Sequence, residues 1–274
     1  MRGIAPRFAW LLAAAALASC TTTQTETATL PGATGPIDIK DRVTASDQPE
    51  SSRRASVRLQ LATAYFSDGQ FTTALDEVKR AIAADPRMAE AYSLRGLIYA
   101  ALGDDALAED SFRRALQIDA GDPDTMQNYG WFLCQKKRYP EANAQFVQAL
   151  AQPRYGDVTR TLLAKGVCES RAGQLAEAER TLQRAYALDS ANPAIAVNLS
   201  DVLYQRGEYE RARFYIRRVN ASAQQASAQT LWLASRIEYR AGNLQAADDL
   251  GQQLRSRFPK SREAAAFDLG QFNE

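Results

Sequence analysis

A pattern of small residues that returns about every 34 positions limits the possible folds of this chain more than any other feature. The small residues stand 34 to 36 positions apart in six successive units: Ala62, Gly96, Gly130, Gly166, Ser200 and Ser235. Twelve positions after each of them comes an alanine: Ala74, Ala108, Ala142, Ala178, Ala212 and Ala247. Such self-similarity predicts stacked copies of one structural unit.

Each mark of the repeat has a physical role in a pair of packed helices. The small residue and the alanine allow the two helices of a unit to lie close together. A glycine in the middle of a unit can take the positive φ of a helix C-terminus, and Lys137 replaces it in the third unit. Prolines near the unit boundaries, such as Pro123 and Pro193, stop one helix and can open the next.

The pattern resembles the tetratricopeptide repeat, a helix–turn–helix of about 34 residues. The resemblance predicts an all-α fold, a right-handed superhelix of six repeats with a C-terminal capping helix, over residues 53–274. In the sixth unit, Gly251 stands where the other units carry a large apolar residue. We expect residues 262–274 to form the helical cap, and we place the units at 55–88, 89–122, 123–156, 159–192, 193–227 and 228–261.

The first 19 residues are typical of a lipoprotein signal peptide. Arg2 and Arg7 form a basic start, and residues 8–18 are apolar but shorter than the roughly 20 residues of a membrane-spanning helix. The stretch ends in LASC, which resembles a bacterial lipobox in which the signal peptide is removed before an acylated cysteine, here Cys20. The alternative is a plain signal peptide cut at a small residue, with Cys20 a bystander.

The residues after Cys20 are predicted to form a lipidated flexible tether. Thr21, rather than aspartate, follows the cysteine, and by resemblance to Gram-negative lipoproteins this indicates the periplasmic face of the outer membrane. Residues 20–52 begin rich in Thr, Pro and Gly without helical periodicity. A coil of about 30 residues spans roughly 30 Å, which would let the folded part stand off the membrane.

Two further cysteines, Cys134 and Cys168, lie 34 residues apart in the first helices of units three and four. Neighbouring first helices pack with axes about 8–10 Å apart, so the two residues can come within disulfide distance. Acylation of Cys20 would leave them as an even pair in an oxidising compartment. We predict a structural disulfide; the alternative is two free cysteines that act as small buried apolar residues.

The composition excludes several kinds of active site. The chain has no histidine, so His-based catalysis and His-ligated zinc are excluded, and no phosphate-binding glycine motif occurs. A net charge of +1 gives no sign of a nucleic-acid partner. We expect no cofactor and no metal. The carboxylates are predicted to lie on solvated helix faces, so a hydrolase that uses Asp and Glu pairs is disfavoured.

Positions 5, 9 and 12 of each first helix lie on one helix face and are predicted to line the concave side of the superhelix. The lining is apolar and aromatic with few charges, which suits an amphipathic helix or an extended apolar segment of a partner. The alternative for its aromatic residues is internal packing. The residues predicted to form this groove are Phe66, Gln127, Trp131, Val197, Asp201, Tyr204, Trp232, Arg236 and Tyr239.

Several stretches together resemble one family, the type IV pilus biogenesis lipoproteins PilW, called PilF in some bacteria. They are the lipobox, NYGWFLCQKKRYPEA at 128–142, AQPRYGDVTRTLLAKGVCESRAG at 151–173 and LRSRFPKSREA at 254–264. The resemblance implies a pilotin with no enzymatic activity that helps the secretin PilQ reach the outer membrane and form its multimer. We expect a monomer that binds secretin subunits or another envelope protein. The alternative is a general scaffold lipoprotein for envelope assembly.

Overall fold

The structure, a computed structural model, describes residues 49–272 as thirteen α-helices without a strand in that range. Twelve helices form six pairs, and the last helix closes the C-terminal end. No helix within residues 49–272 has both the length and the apolar character needed to cross a bilayer. The helices are α1 Glu50–Ser67, α2 Phe71–Ala84, α3 Ala89–Leu102, α4 Asp105–Ile118, α5 Pro123–Gln135, α6 Tyr139–Leu150, α7 Val158–Arg171, α8 Leu175–Leu188, α9 Pro193–Gln205, α10 Tyr209–Asn220, α11 Ala228–Arg240, α12 Leu244–Arg257 and α13 Arg262–Asp268.

The helices pack within each unit and along the stack. The two helices of every unit form the closest pair, α1 with α2 and so on to α11 with α12. Each first helix also contacts the first helix of the next unit, while each second helix packs on the first helix that follows it. The first helices therefore form a continuous row along one face. This confirms the predicted all-α superhelix of six repeats.

The unit boundaries follow the sequence pattern closely. The first helices of units two to six begin at Ala89, Pro123, Val158, Pro193 and Ala228, within one residue of the predicted starts. Helix α1 differs, because it begins at Glu50, five residues before the predicted start of its unit and inside the stretch assigned to the tether. Glu50 lies in the first turn, where an acidic side chain is favourable, and pairs with Arg53.

The small residue of each first helix marks where its second helix comes closest. A Cβ added to Gly130 would lie 2.9 Å from the ring of Phe146, and one added to Gly166 would lie 2.6 Å from Cγ of Leu182. Both apolar side chains are fully buried, so they have little room to retreat. The missing side chain of the glycine is therefore a packing requirement at these positions.

Serine fills the same position in the last two units because its hydroxyl finds a partner. The Oγ of Ser200 donates to the carbonyl oxygen of Ala212 at 2.9 Å, and the Oγ of Ser235 donates to that of Ala247 at 2.7 Å. Both acceptors belong to the alanine 12 positions later. The hydrogen bond satisfies a fully buried hydroxyl and joins the two helices at the point of closest approach.

The turn between the two helices of a unit has the predicted left-handed residue. The mid-unit glycines have φ values from 73° at Gly69 to 87° at Gly103. Lys137 takes the same conformation, with φ of 61°, although lysine has a Cβ. Its N–H donates to the carbonyl oxygen of Cys134, three positions earlier, at 3.0 Å. In the other units the glycine N–H likewise donates to the carbonyl oxygen three positions earlier. The geometry of the repeat therefore overrides the preference of the residue.

A disulfide joins Cys134 of α5 to Cys168 of α7, with the two Cα atoms 5.8 Å apart. Both residues are buried and belong to a core cluster that includes Phe112, Phe132 and Phe146. The bond therefore links the first helices of units three and four inside a packed core. It fixes the position of one unit relative to the next.

The expectation that carboxylates lie on solvated faces is wrong for several glutamates. Glu77, Glu169, Glu179 and Glu238 are all at least nine-tenths buried. Each carboxylate has a basic partner at short range, so the buried charge is compensated. Periodicity along one helix does not reveal these partners, because many of them belong to another helix.

Two of these glutamates connect neighbouring units. Glu179 of unit four pairs with Arg206 and with Arg211, both of unit five, the latter at 2.5 Å. Glu238 of unit six pairs with Arg213 and Arg217 of unit five, each at 2.9 Å. Because each carboxylate holds two guanidinium groups across a unit boundary, the ion pairs restrain the angle between units.

Gly251, the departure in the sixth unit, receives the capping helix. A Cβ on Gly251 would lie 1.9 Å from Cε2 of Phe267 in α13. The ring of Phe267 packs with buried Leu231, Leu254 and Ala264. The predicted helical cap is confirmed, but its helix ends at Asp268, so the segment 269–272 is not helical.

Removal of the disulfide is expected to destabilise the repeat domain. Since the bond closes a loop of 34 residues, the double variant Cys134→Ala/Cys168→Ala should lose roughly 3–4 kcal/mol of unfolding free energy in the loop-entropy description. Urea denaturation followed by circular dichroism measures the change. A reducing agent should lower the midpoint of the unaltered chain and leave that of the double variant unchanged. Equal midpoints for the unaltered chain with and without reductant would contradict the prediction.

Substitution Gly251→Ala is expected to displace the capping helix, at a loss of about 1–3 kcal/mol in unfolding free energy, because the added methyl group overlaps Phe267. Gly156→Ala is the matched control, since a Cβ there meets nothing within 4 Å. In a background with Phe267→Ala, the glycine substitution should have little further effect. A similar loss in both backgrounds, measured by urea denaturation, would rule out the proposed overlap.

Candidate functional site

The predicted groove residues lie along the row of first helices, and their environments differ from one end of the row to the other. Phe66 is partly buried, with its ring 5.6 Å from that of Phe71. Trp131 is also partly buried, and the guanidinium of Arg171 lies 5.0 Å from its ring centroid. Gln127 is only 7% exposed, so it offers little surface to a partner. For Gln127, internal packing is the better interpretation.

Unit five contributes one apolar and two polar groove residues. Val197 packs, partly buried, against the core of units four to six. Tyr204 is 9% exposed, and its hydroxyl donates to the carbonyl oxygen of Phe272 at 3.3 Å. Asp201 accepts a hydrogen bond from Nε2 of Gln205 at 2.6 Å. The polar groups of the groove thus lie beside its aromatic residues.

Three aromatic rings of units five and six meet the ring of Phe272 or its main chain. Tyr239 stacks on Phe272 with the ring centroids 4.2 Å apart and the planes inclined by 11°. Trp232 lies 5.2 Å from the same ring. Together with the Tyr204 hydrogen bond, these contacts make units five and six the place where the predicted groove residues converge.

Arg236 and Asp201 add the charge in this region. The guanidinium of Arg236 lies 4.7 Å from the centroid of the Tyr204 ring, a cation–π distance. Burial raises the pKa of Asp201 above its ordinary value, although the hydrogen bond from Gln205 and the charge of Arg236 act in the opposite direction. Asp201 and Arg236 are the two charged residues among the predicted groove residues.

Phe272 was missed by the sequence interpretation, which assigned residues 262–274 to a helical cap. The signal that could have revealed it is Gly270, two residues after α13 ends at Asp268 and two residues before an aromatic side chain. Gly270 has φ of 64°, and the turn there directs Phe272 toward α11 instead of extending the helix.

Within residues 49–272, no three His, Cys, Asp or Glu side chains are grouped closely enough to hold a metal ion. The buried glutamates are paired with arginine or lysine, as described above. Cys20, the predicted lipid attachment site, lies outside the described residues.

Comparison with known proteins identifies the family. The tetratricopeptide repeat family matches residues 59–123 and 170–234. The chain is 25% identical to the type IV pilus assembly protein PilF of Pseudomonas aeruginosa over 236 residues, covering 86% of this chain and 93% of PilF. The crystal structure of PilW, a type IV pilus biogenesis factor, matches with a TM-score of 0.73 and 31% identity over 78% of this chain and 97% of PilW. The chain belongs to the PilW/PilF family of type IV pilus biogenesis proteins.

The structure of Pseudomonas aeruginosa PilF matches as well, with a TM-score of 0.70 and 25% identity over 81% of this chain and all of that structure. The likeness to the PilW/PilF family therefore extends over the whole repeat domain and is not confined to the two matched repeat segments. Residues 124–169, between these segments, hold both disulfide cysteines and Lys137.

Substitution Asp201→Asn is expected to stabilise this PilW/PilF-family protein at pH 7 but not at pH 3. Because burial raises the pKa of Asp201, the folded state holds this proton more firmly than the unfolded state does. Ionisation therefore lowers stability as pH rises through the folded pKa. Below the unfolded value of about 3.9, the carboxyl is neutral in both states and the substitution brings no gain.

Thermal denaturation at the two pH values measures this difference. Asp249→Asn is the matched control, because Asp249 is exposed and, like Asp201, accepts a hydrogen bond from a glutamine four residues away. An equal change in melting temperature for both variants at pH 7 would contradict a specific burial effect at Asp201.

Proposed function

We propose that this protein is a pilotin-like adaptor: an outer-membrane lipoprotein that binds the type IV pilus secretin, PilQ, and promotes its localisation and multimerisation. The observation that most strongly supports this proposal is that the chain belongs to the PilW/PilF family. The matches cover 97% of PilW and 93% of PilF. The names of both relatives refer to assembly or biogenesis of the type IV pilus. On this proposal the protein is a binding protein and not an enzyme.

The chemistry of the groove supports binding of a polypeptide. Tyr204, Trp232 and Tyr239 line the inner row of units five and six, and aromatic side chains are enriched where proteins bind each other. Such a lining favours apolar or aromatic segments of a partner over acidic ones, because Arg236 is the one basic residue among the predicted groove residues. An extended or helical segment of a secretin subunit is a partner of this kind.

A rigid frame favours tight recognition by such a groove. The disulfide between α5 and α7 and the ion pairs of Glu179 and Glu238 hold successive units at fixed positions. A surface that is already in its binding conformation loses less conformational entropy when a partner binds. The frame thus supports a role in which the partner segment adopts a fixed conformation on binding, while the repeat domain keeps its own shape.

The proposed lipid anchor at Cys20 would determine the membrane to which a bound partner is brought. Several acyl chains on one residue hold a protein stably in a bilayer, because each buried methylene contributes about 0.8 kcal/mol. A secretin subunit held by the groove would then travel with the anchor to the outer membrane. The sequence LASC before a Thr-rich stretch supports this part of the proposal.

Substitution Cys20→Ala tests the proposal, because it removes the acylated thiol and leaves the repeat domain unchanged. We expect heat-resistant secretin multimers in the outer-membrane fraction, and pili on the cell surface, to fall to a small fraction of their normal amounts. Immunoblots of separated membranes and electron microscopy measure the two quantities. Thr21→Ala is the matched control, since it changes the neighbouring residue and keeps the cysteine.

Two results would contradict the pilotin function. Normal secretin multimers and normal piliation in the Cys20→Ala strain would show that the anchor is not needed for secretin assembly. Defects spread over many outer-membrane proteins in a deletion strain would instead favour the general envelope scaffold, because a pilotin predicts a loss confined to piliation.

A further inference from the structure

The segment after the capping helix turns back onto the inner row of the repeats. The N–H of Gly270 donates to the carbonyl oxygen of Phe267 at 3.0 Å, and the N–H of Gln271 donates to that of Ala266 at 2.9 Å. With the positive φ of Gly270, these bonds close the helix and reverse the chain. Phe272 consequently lies against α11 on the face that carries the predicted groove residues.

The ring of Phe272 lies among three aromatic side chains of the repeat domain. Tyr239 stacks on it at 4.2 Å, Trp232 lies at 5.2 Å, and Phe267 meets it almost at a right angle at 5.9 Å. Both stacked and edge-to-face arrangements are favourable for aromatic pairs. The Tyr204 hydroxyl holds the carbonyl oxygen of the same residue at 3.3 Å. We call these four residues the aromatic seat.

The aromatic seat recognises features that are not special to this segment. It accepts one aromatic ring and one main-chain carbonyl, and any Phe or Tyr in an extended polypeptide offers both. An open pocket of about 390 Å³ continues from Phe272 past Tyr239 and Leu244. It leaves room for an apolar side chain next to the aromatic residue of a bound segment.

The segment 269–272 is held more loosely than the helix that precedes it. Helix α13 is fixed by Phe267 beside Gly251 and by the ion pair of Arg255 with Asp268. In the segment itself, Leu269 is 73% exposed, and the N–H of Phe272 donates within the segment, to Gly270. The segment can therefore leave the seat while the cap remains in place.

We propose that the aromatic seat is a binding site for an aromatic residue in an extended segment of a partner protein, and that residues 269–272 are its displaceable internal competitor. This inference rests on the proposed function only in requiring that the groove has a protein partner. Phe272 occupies the seat in the absence of the partner and shields the aromatic rings of α11. A partner segment binds when its own aromatic residue takes the place of Phe272.

An internal competitor lowers the apparent affinity of the seat in a calculable way. A segment joined by a short chain is present at an effective concentration of about millimolar. If the seat is open for one-tenth of the time, an external segment binds about tenfold more weakly than it would to an empty seat. Segments that bind the seat with low affinity are thus excluded. A partner is selected when its segment has a higher affinity or when it presents several copies of the segment.

Phe272→Ala in the full chain tests this inference with a defined probe. The probe is a fluorescein-labelled peptide of sequence DLGQFNE, residues 268–274 of this chain, and DLGQANE is its matched control. Fluorescence anisotropy should show that DLGQFNE binds Phe272→Ala at least about tenfold more tightly than the unaltered chain. Leu269→Ala, an exposed change in the same segment, should behave as the unaltered chain does. DLGQANE should not bind, and adding Tyr239→Ala should abolish binding of DLGQFNE.

A second measurement locates the bound peptide. In the chain labelled with 5-fluorotryptophan, the ¹⁹F resonance of Trp232, assigned with Trp232→Phe, should shift in Phe272→Ala and return when DLGQFNE is added. The resonance of Trp131, which lies in unit three, should not respond. These measurements need neither secretin nor membrane, so their result is independent of the Cys20→Ala experiment.

Several results would overturn the inference. One is an equal affinity of DLGQFNE for the unaltered chain and for Phe272→Ala, and another is the absence of saturable binding to Phe272→Ala. A third is a Trp232 resonance that does not respond to Phe272→Ala or to the peptide. A concentration-dependent dimer of the unaltered chain that is lost in Phe272→Ala would assign the seat to the segment of a second copy. That result would also exclude an internal competitor.

Discussion

The close approach of the two helices in each unit is the interaction on which the rest of this repeat domain depends. It needs a small residue on the first helix and a large apolar residue on the second, as in Gly130 with Phe146 and Gly166 with Leu182. Where serine replaces glycine, its hydroxyl bonds to the opposing backbone, so the helices stay close. The sixth unit has Gly251 in place of the large residue, and Phe267 of the capping helix packs beside it. One residue thus determines how the stack ends.

Contacts between units convert this series of helix pairs into a frame of fixed curvature. The disulfide joins the first helices of units three and four, and buried glutamates join unit five to the units on either side. A buried carboxylate without its arginine partners would be strongly destabilising, so these ion pairs restrict the angles at which the units can stack. We therefore expect the inner row of first helices to keep its shape without a ligand. That property suits the adaptor role proposed for this member of the PilW/PilF family.

Most of the aromatic and charged residues of the predicted groove are concentrated at the C-terminal end of the frame. Aromatic side chains of α9 and α11 meet the segment that follows the cap, and Arg236 and the partly buried Asp201 lie next to them. On the function proposed above, the aromatic rings, the Tyr204 hydroxyl and the charges of Asp201 and Arg236 suit a polypeptide segment better than a small metabolite. The same end of the domain is thus responsible both for ending the stack and for the proposed recognition of a partner.

The sequence by itself determined the repeat, the unit boundaries, the left-handed turns and the proximity of the two cysteines, because all of these follow from periodicity along the chain. It also brought Trp232, Arg236 and Tyr239 to one face of one helix. It did not reveal that Gln127 is buried, that Glu179 and Glu238 are buried and paired, or that Phe272 stacks on Tyr239. Only the tertiary structure decided these points, because they depend on contacts between parts of the chain that are far apart in the sequence, such as that of Tyr204 with Phe272, 68 residues away. Helical periodicity specifies the face on which a side chain lies, but not what packs against that face.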